Sequence, residues 1–422
     1  MLSGGIMDAL LSHDRVRAAR VHIERSDETT LARQAALSAI PAPTGAETAR
    51  GARVADMFRD VGLQSVEVDA VGNVRGWFAG AEPAASLHND CVIVSAHLDT
   101  VFGPELDVSV ARRGPRLEGP GIADNARGLA ALVALADAMA CARVATRRPI
   151  LFAATVGEEG SGDLRGVRYL IGGDGGAQHA APLHDPTPRA AFRPHAFIAL
   201  DGAGIERIVH RALGARRYRI TYSGPGGHSW AAFGVVNPAN AVANAVAALA
   251  KIPTQDAPRT THVVVRIGGG TSLNSIPQSA WFDVDLRSED PRALERIDEK
   301  LKGVATQAVE EENRRRLPGT APLTLDIRRI GDRPSGLTPR THPLVQTAVA
   351  ATRAVGHEHQ LACASTDANL PIALGVPAVA LGAGGRAGDA HLPTEWYEND
   401  KGALGIVRAL LVTAAMAEAL TA

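Results

Sequence analysis

The chain has 422 residues, 45% hydrophobic and 21% charged, with 44 Lys and Arg against 45 Asp and Glu for a formal net charge of −1. At roughly 100–200 residues per domain, this describes a globular protein of two or three domains. The charge balance excludes the basic footprint of a nucleic-acid or anionic-membrane binder, and no apolar run nears the ~20 residues of a bilayer span.

The first fifteen residues carry Asp8, His13 and Asp14 and lack a basic stretch followed by a long apolar one, so no secretory leader is expected. Cys91, Cys141 and Cys363 have no metal-ligand spacing and cannot all pair; reduced thiols and a cytoplasmic protein are expected. Residues 7–39 alternate apolar and charged positions at helical spacing, as one or two amphipathic helices would. The Pro-rich stretch Ile40-Pro41-Ala42-Pro43-Thr44-Gly45 breaks the pattern, and a further helix is predicted over 46–61.

Four short apolar runs follow, at 91–96, 149–156, 196–200 and 377–381. Runs that are apolar on both faces and separated by helical stretches such as 127–143 predict parallel strands covered on both sides, a doubly wound α/β domain. The middle of the chain reads differently. Strands are predicted at 215–222, 261–267, 280–286 and 321–329, interleaved with helices at 238–251 and 291–313. That order is β-α-β-β-α-β, the split βαβ (ferredoxin-like) layout of an α+β module. The expected division is 1–213 with 331–422 for the α/β domain and 214–330 for the insert. Residues 171–195, rich in Gly, Pro and His, are predicted to form a surface loop carrying His179, His184 and His195.

Each apolar run is followed by a residue of metal-ligand type: His97 and Asp99, then Glu158 and Glu159, then Asp201, and last His391. Open α/β sheets bind ligands outside the carboxyl ends of their strands, so these distant residues are predicted to converge. Asp124, just before a predicted helix, is a fifth candidate. Two His and several carboxylates suit Zn²⁺, Mn²⁺ or Co²⁺, and the excess of carboxylates suits two ions sharing a bridge. Singly, each residue has a plainer explanation: Asp124 a helix N-cap, His97 a hydrogen-bonded core His, Glu158-Glu159 a solvated pair, Asp201 a turn residue. The repeated placement at four strand ends favours the metal site.

The segments Ser95-Ala96-His97-Leu98-Asp99-Thr100-Val101, Gly119-Pro120-Gly121-Ile122-Ala123-Asp124-Asn125, Gly157-Glu158-Glu159-Gly160, Leu200-Asp201-Gly202 and Ala390-His391 together resemble the M20 metallopeptidase family, in the family's order. That family includes peptidase T, carnosinase-type dipeptidases, glutamate carboxypeptidases, acetylornithine deacetylase and aminoacylases. The resemblance implies that His97 and Asp201 bind one metal ion, Glu159 and His391 a second, and that Asp124 bridges the two. It implies that Asp99 orients His97, and that Glu158 is the general base, taking a proton from the attacking water and returning it to the leaving nitrogen.

The insert adds to the resemblance. Gly224-Pro225-Gly226-Gly227-His228-Ser229 resembles the family's lid loop, whose His stabilises the oxyanion in a partner subunit's site. Gly268 to Pro277 resembles the substrate-contact segment, with Asn274 binding substrate, and Arg287 resembles the lid Arg that grips a substrate carboxylate. Thr366-Asp367-Ala368-Asn369 resembles the loop before the last strand, and Arg386 is a candidate for an anionic substrate group. A homodimer through the lid is implied.

The expectation is a dinuclear metal hydrolase of a C–N bond in a small carboxylate-bearing substrate, peptidase T-like first, because Asp rather than Glu at 201 leans toward aminopeptidases and dipeptidases in the family. N-acyl or N-carbamoyl amino acid amidohydrolases, and aminohydrolases of small aromatic acids such as nitroanthranilate, use the same metal chemistry and stay open. A catalytically inactive binding protein on the same fold is the alternative of another class; the complete set His97, Asp124, Glu158, Glu159, Asp201 and His391 argues against it.

Overall fold

The computed structural model describes residues 2–81, 90–172 and 194–420. They divide into two compact units, Met1–Ala212 with Leu337–Ala422, and Leu213–Gly336. The strand Thr324–Arg333 runs past Ile330, so the chain leaves the second unit only at Gly336.

The first unit is built on a mixed sheet. Its centre runs Ile150–Thr155, Val92–His97, Ala196–Leu200 and Ala378–Leu381, all mutually parallel, as the two-sided apolar runs predict. Every residue of these four strands is buried. The helices Ala126–Cys141 and Gly402–Met416, apolar on nearly every side, pack into the same core. At the edges the pairing turns antiparallel: Val74–Phe78 beside Ile150–Thr155, and Arg207–Ala212 beside Ala378–Leu381. A separate small sheet joins Ala111–Arg113, Arg116–Glu118, Trp396–Glu398 and Arg386–Gly388.

The N-terminal pattern resolves into three helices rather than one or two, Leu2–Ser12, Asp14–Arg25 and Asp27–Ser38. His13 interrupts the first pair with an extended backbone, and its ring accepts the N–H of Val16 as a cap. Of the predicted loop 171–195, residues 173–193, with His179 and His184, lie outside the described residues. His195 lies next to the strand Ala196–Leu200, its ring 3.5 Å from Asp90.

The second unit has the predicted order of elements. Its antiparallel sheet runs Gln255–Asp256, Arg259–Gly269, Ser279–Ser288, Gly214–Ser223, Thr324–Arg333. The helices Pro238–Leu249 and Pro291–Arg314 pack on one face around Tyr222, Phe282 and Leu301. The last strand starts at Thr324 rather than 321. Pro322 has no N–H for a ladder, and Leu323 is tied at both its N–H and its carbonyl to the Asn313 side chain.

Candidate active site

In the register of the first unit's sheet, His97 lies opposite Thr155, Ser95 opposite Ala199, and Leu200 opposite Leu381. Four neighbouring strands therefore finish at one edge. His97 is the last residue of its strand, Asp201 follows Leu200 directly, and only Val156 and Gly157 separate Thr155 from the Glu158-Glu159 pair.

His97 is buried, with Nε2 3.0 Å from Asp124 Oδ1. Its Nδ1 lies 3.0 Å from the backbone oxygen of Asp99 and 3.5 Å from the Asp99 carboxylate. The Asp99 carbonyl is thus the nearer acceptor for the far nitrogen of His97, and a proton held there leaves Nε2 for the site. The Asp99 carboxylate accepts the N–H groups of Glu158 and Glu159, both at 2.9 Å, and the Thr44 hydroxyl at 2.8 Å.

Asp124 lies between two imidazoles. Its Oδ1 faces His97, while its Oδ2 lies 3.2 Å from His391 Nε2. His391 Nε2 is also 3.0 Å from Glu159 Oε1. Asp124 is not the cap of the helix Ala126–Cys141: Asn125 is, accepting the Gly128 N–H and donating to the Leu200 carbonyl at 3.0 Å. Gly128 permits that approach, because a Cβ there would overlap Asn125 Oδ1 and the Leu200 oxygen. His391 itself has a backbone φ of +67°, a left-handed conformation uncommon outside glycine, though one that histidine adopts more readily than most residues.

The turn carrying Glu158 and Glu159 is held by its backbone. Successive N–H groups from Val156 to Glu159 go to Asn73 Oδ1 (3.0 Å), Glu47 Oε1 (3.0 Å) and the two oxygens of Asp99. All three acceptor residues are buried. Glu47 also pairs with Arg165 at 3.3 Å. Neither Glu47 nor Asn73 was marked by sequence reasoning, and neither was Glu395, whose buried carboxylate lies under the Asp124 loop. Glu395 stands four residues after His391, the one signal that could have drawn attention to it.

Charge is crowded here. Burial disfavours a cation on His97, yet its close contacts with the Asp124 and Asp99 carboxylates and the field of Glu158 hold its pKa well above the ordinary imidazole value. Contacts with Asp124 and Glu159 push His391 up to about 10. Burial would raise Asp124, but the two histidines hold it below the usual carboxylate range. Asp201 is pushed up to about 7 by burial and by the neighbouring Asp124 charge. Crowded carboxylates, one of them pushed toward its protonated form, mark a site short of positive charge.

The donor atoms of His97, Asp124 and Glu159 lie within 4.8 Å of one another. Asp124 Oδ1 is buried without a hydrogen bond of good geometry. An orphaned carboxylate oxygen beside the His97 imidazole, with Glu159 close by, fits a divalent cation of the Zn²⁺, Mn²⁺ or Co²⁺ type.

The other expected residues fall elsewhere. Arg386 is exposed on the small sheet and paired with Glu398 (3.1 Å) and Asp400 (3.3 Å). His228, Asn274 and Arg287 belong to the second unit. His228 Nδ1 accepts the N–H groups of Trp230 and Ala231, so in the neutral ring Nε2 carries the proton and points outward as a donor. Asn274 accepts the Ser229 N–H on its carbonyl and the Ser272 hydroxyl on its side chain. Arg287 donates to Asp285 at 2.7 Å.

Residues 93–417, which include His97, Asp99, Asp124, Glu158, Glu159, Asp201 and His391, match the model of peptidase family M20/M25/M40. The chain belongs to peptidase family M20. It is a hydrolase by that membership. Solved M20-type structures share the fold over almost their whole length. An aminopeptidase PepT from Bacillus cereus is 19% identical, with TM-score 0.67 over 92% of this chain and 98% of that one. A tripeptidase from Staphylococcus aureus is 17% identical, with TM-score 0.71 over 92% and 98%. A hydantoinase/carbamoylase family amidase from Burkholderia vietnamiensis is 18% identical, with TM-score 0.66 over 94% and 97%. No helix among the described residues is long and apolar enough to cross a membrane.

Proposed function

We propose that this M20 hydrolase is a dinuclear metal enzyme that cleaves a C–N bond in a small, carboxylate-bearing substrate, acting first as an aminopeptidase or dipeptidase of the peptidase T type. The observation that carries the reading is Asp124, with one oxygen 3.0 Å from His97 and the other 3.2 Å from His391. A carboxylate that offers each oxygen to a different imidazole is suited to bridge two ions. In this reading His97 and Asp201 hold one and Glu159 and His391 the other. Asp124, Glu158, Glu159 and Asp201 carry four negative charges when ionised, which two divalent cations offset.

Two such ions would polarise the scissile carbonyl and acidify a water beside it. The chain's own residues do the rest. Asp99 fixes the His97 ring and pins the backbone of Glu158. Glu158 takes a proton from the attacking water and delivers it to the leaving nitrogen. His228 donates from Nε2 to the oxyanion, reaching a partner subunit's site. Asn274, Arg287 and Arg386 meet the substrate, the arginines its carboxylate.

A homodimer through the second unit belongs to the proposal. Beyond Thr260, the strand Arg259–Gly269 has only Ser279–Ser288 beside it among the described residues, and Val263, Val265 and Ile267 along it are exposed. A cytoplasmic location is also proposed, supported by three cysteines of which no two form a disulfide among the described residues.

An N-carbamoyl or N-acyl amino acid amidohydrolase is the second reading, favoured by the Burkholderia amidase. A hydrolysis panel on metal-reconstituted protein separates the two: tripeptides, dipeptides, N-acyl and N-carbamoyl amino acids and aromatic amino acids, scored for new amine and for ammonia. Turnover of peptides above the rest supports the first reading, and turnover of acyl or carbamoyl substrates alone overturns it. Glu158→Gln should retain its metal while activity falls by about 10²–10⁴-fold. Full activity in that variant refutes the role of Glu158.

A further inference from the structure

We infer that Glu395 is a positioning residue that holds Asp124 in place between the two histidines, acting only through backbone N–H groups. Topology delivers it there. Trp396–Glu398 pairs antiparallel with Arg116–Glu118, Trp396 opposite Glu118, and the Gly119 N–H donates to the Glu395 carbonyl at 2.9 Å. The side chain is thereby set beneath the loop that follows Gly119. Its Oε1 accepts the N–H groups of Ala123 and Asp124, each at 2.8 Å, and its Oε2 that of Gly121 at 3.1 Å.

Glu395 is 0% exposed. Among the described residues no Lys or Arg pairs with it, whereas Glu47, which holds the Glu158 turn in the same manner, has Arg165. A buried carboxylate without a cation is costly unless hydrogen bonds replace its water. Here three amide dipoles on one loop do so. Those dipoles are fixed in return, one of them being the N–H of Asp124 itself. If the loop slips, the Asp124 oxygens leave their places near His97 Nε2 and His391 Nε2.

The isosteric amide cannot reproduce this. With its oxygen kept on Ala123 and Asp124, a Gln at 395 turns its NH₂ toward the Gly121 N–H, donor against donor; the flipped amide faces two N–H groups. The inference rests on the proposed reading of Asp124 as the shared metal ligand. The experiment is therefore run on Glu395→Gln and Asp124→Asn in parallel. Mn²⁺ and Zn²⁺ affinity and stoichiometry are measured by calorimetry on the full chain stripped of metal, with the melting temperature of the metal-free protein and kcat and KM recorded alongside.

Glu395→Gln is expected to bind metal about 10–100-fold more weakly, and to lose kcat more than it gains KM. A purely structural role would lower the metal-free melting temperature and leave the affinity of the folded protein unchanged. Should Glu395→Gln not fold, Glu395→Asp, which keeps the charge on a shorter arm, carries the same measurement and the same expected loss. Wild-type metal affinity in the folded Glu395 variant, with metal lost from Asp124→Asn, overturns the positioning role alone. A full metal complement in Asp124→Asn overturns the reading of Asp124, and the inference with it.

Discussion

Two aspartates, a buried one in the second unit and a half-buried one in the first, solve the same problem in opposite ways. Asp283, on the second unit's strand Ser279–Ser288, is paired with Arg219 at 2.8 Å and Arg266 at 2.7 Å. The Arg219 hydrogen bonds hold its pKa below the usual carboxylate range against the effect of burial. Asp201, at the strand edge of the first unit, has no Lys or Arg partner among the described residues, and burial together with Asp124 lifts it to about 7. The pattern extends to their neighbours. Arg216 bonds Asp298 and Glu295, and Arg217 and Arg287 both lie against Asp285. Asp124 and Glu159 meet only histidines among the described residues. The second unit neutralises these carboxylates with its own arginines, while the strand edge of the first gathers Asp124, Glu159 and Asp201 with no Lys or Arg against them among the described residues.

The largest test of that contrast is Asp124→Asn against Asp283→Asn. The first should abolish binding of at least one metal ion, read by metal analysis after dialysis, and activity should fall with it. The second should leave metal content untouched. A metal-replete Asp124→Asn protein would break the comparison outright. Next in size is His228→Ala. If it serves the transition state, kcat should drop by about 10²–10³-fold with a smaller change in KM, and a rise in KM alone would count against it.

The third test is titration. In the metal-free protein His391 has a pKa of about 10 and His97 one well above the ordinary value. Raised histidine pKa values stabilise the fold fully below the unfolded value of about 6.5, and that contribution is lost as pH rises through the folded values. The metal-free protein should thus melt lower at pH 10 than at pH 7. Metal binding should also release protons near pH 8, measured by calorimetry in buffers of different ionisation enthalpy. No proton release would mean that the histidines are not ligands.

A smaller effect is expected from Asp283→Asn on stability, about 1 kcal/mol or less because Arg219 and Arg266 are partly exposed. Its sign is opposite. A depressed carboxylate pKa stabilises above the unfolded value and loses that contribution as pH falls through the folded one. The wild-type advantage over Asp283→Asn should therefore fade toward acid pH in chemical denaturation. Smallest of all is Arg386→Ala. Losing exposed ion pairs to Glu398 and Asp400 should cost well under 1 kcal/mol. A raised KM for carboxylate substrates with unchanged melting would assign Arg386 to substrate.

What could be read before folding follows from periodicity and local chemistry. The four two-sided apolar runs are the four central strands, because a strand buried on both faces must be apolar on both. The second unit's six main elements are legible because its strands alternate and its helices carry one apolar face. The edge strands Gln64–Val68 and Gln360–Ala364 are not, since exposed or half-covered positions tolerate any pattern. The same holds for Glu47, Asn73 and Glu395. Each acts on backbone N–H groups far away in sequence, and a backbone N–H has no residue type to signal it.

The sequence by itself determined that His97, the Glu158-Glu159 turn and Asp201 stand at or just past strand ends, because a strand's length and its terminal residue are local properties. Only the tertiary structure decided which atom faces which: that the Asp99 carbonyl rather than its carboxylate is nearest the His97 ring, that Asn125 rather than Asp124 caps the helix, and that Asp124 turns one oxygen to each histidine. Those choices are set by parallel strand register and by buried hydrogen bonds between segments more than fifty residues apart, and such bonds become definite only once water has been excluded from the groups that make them.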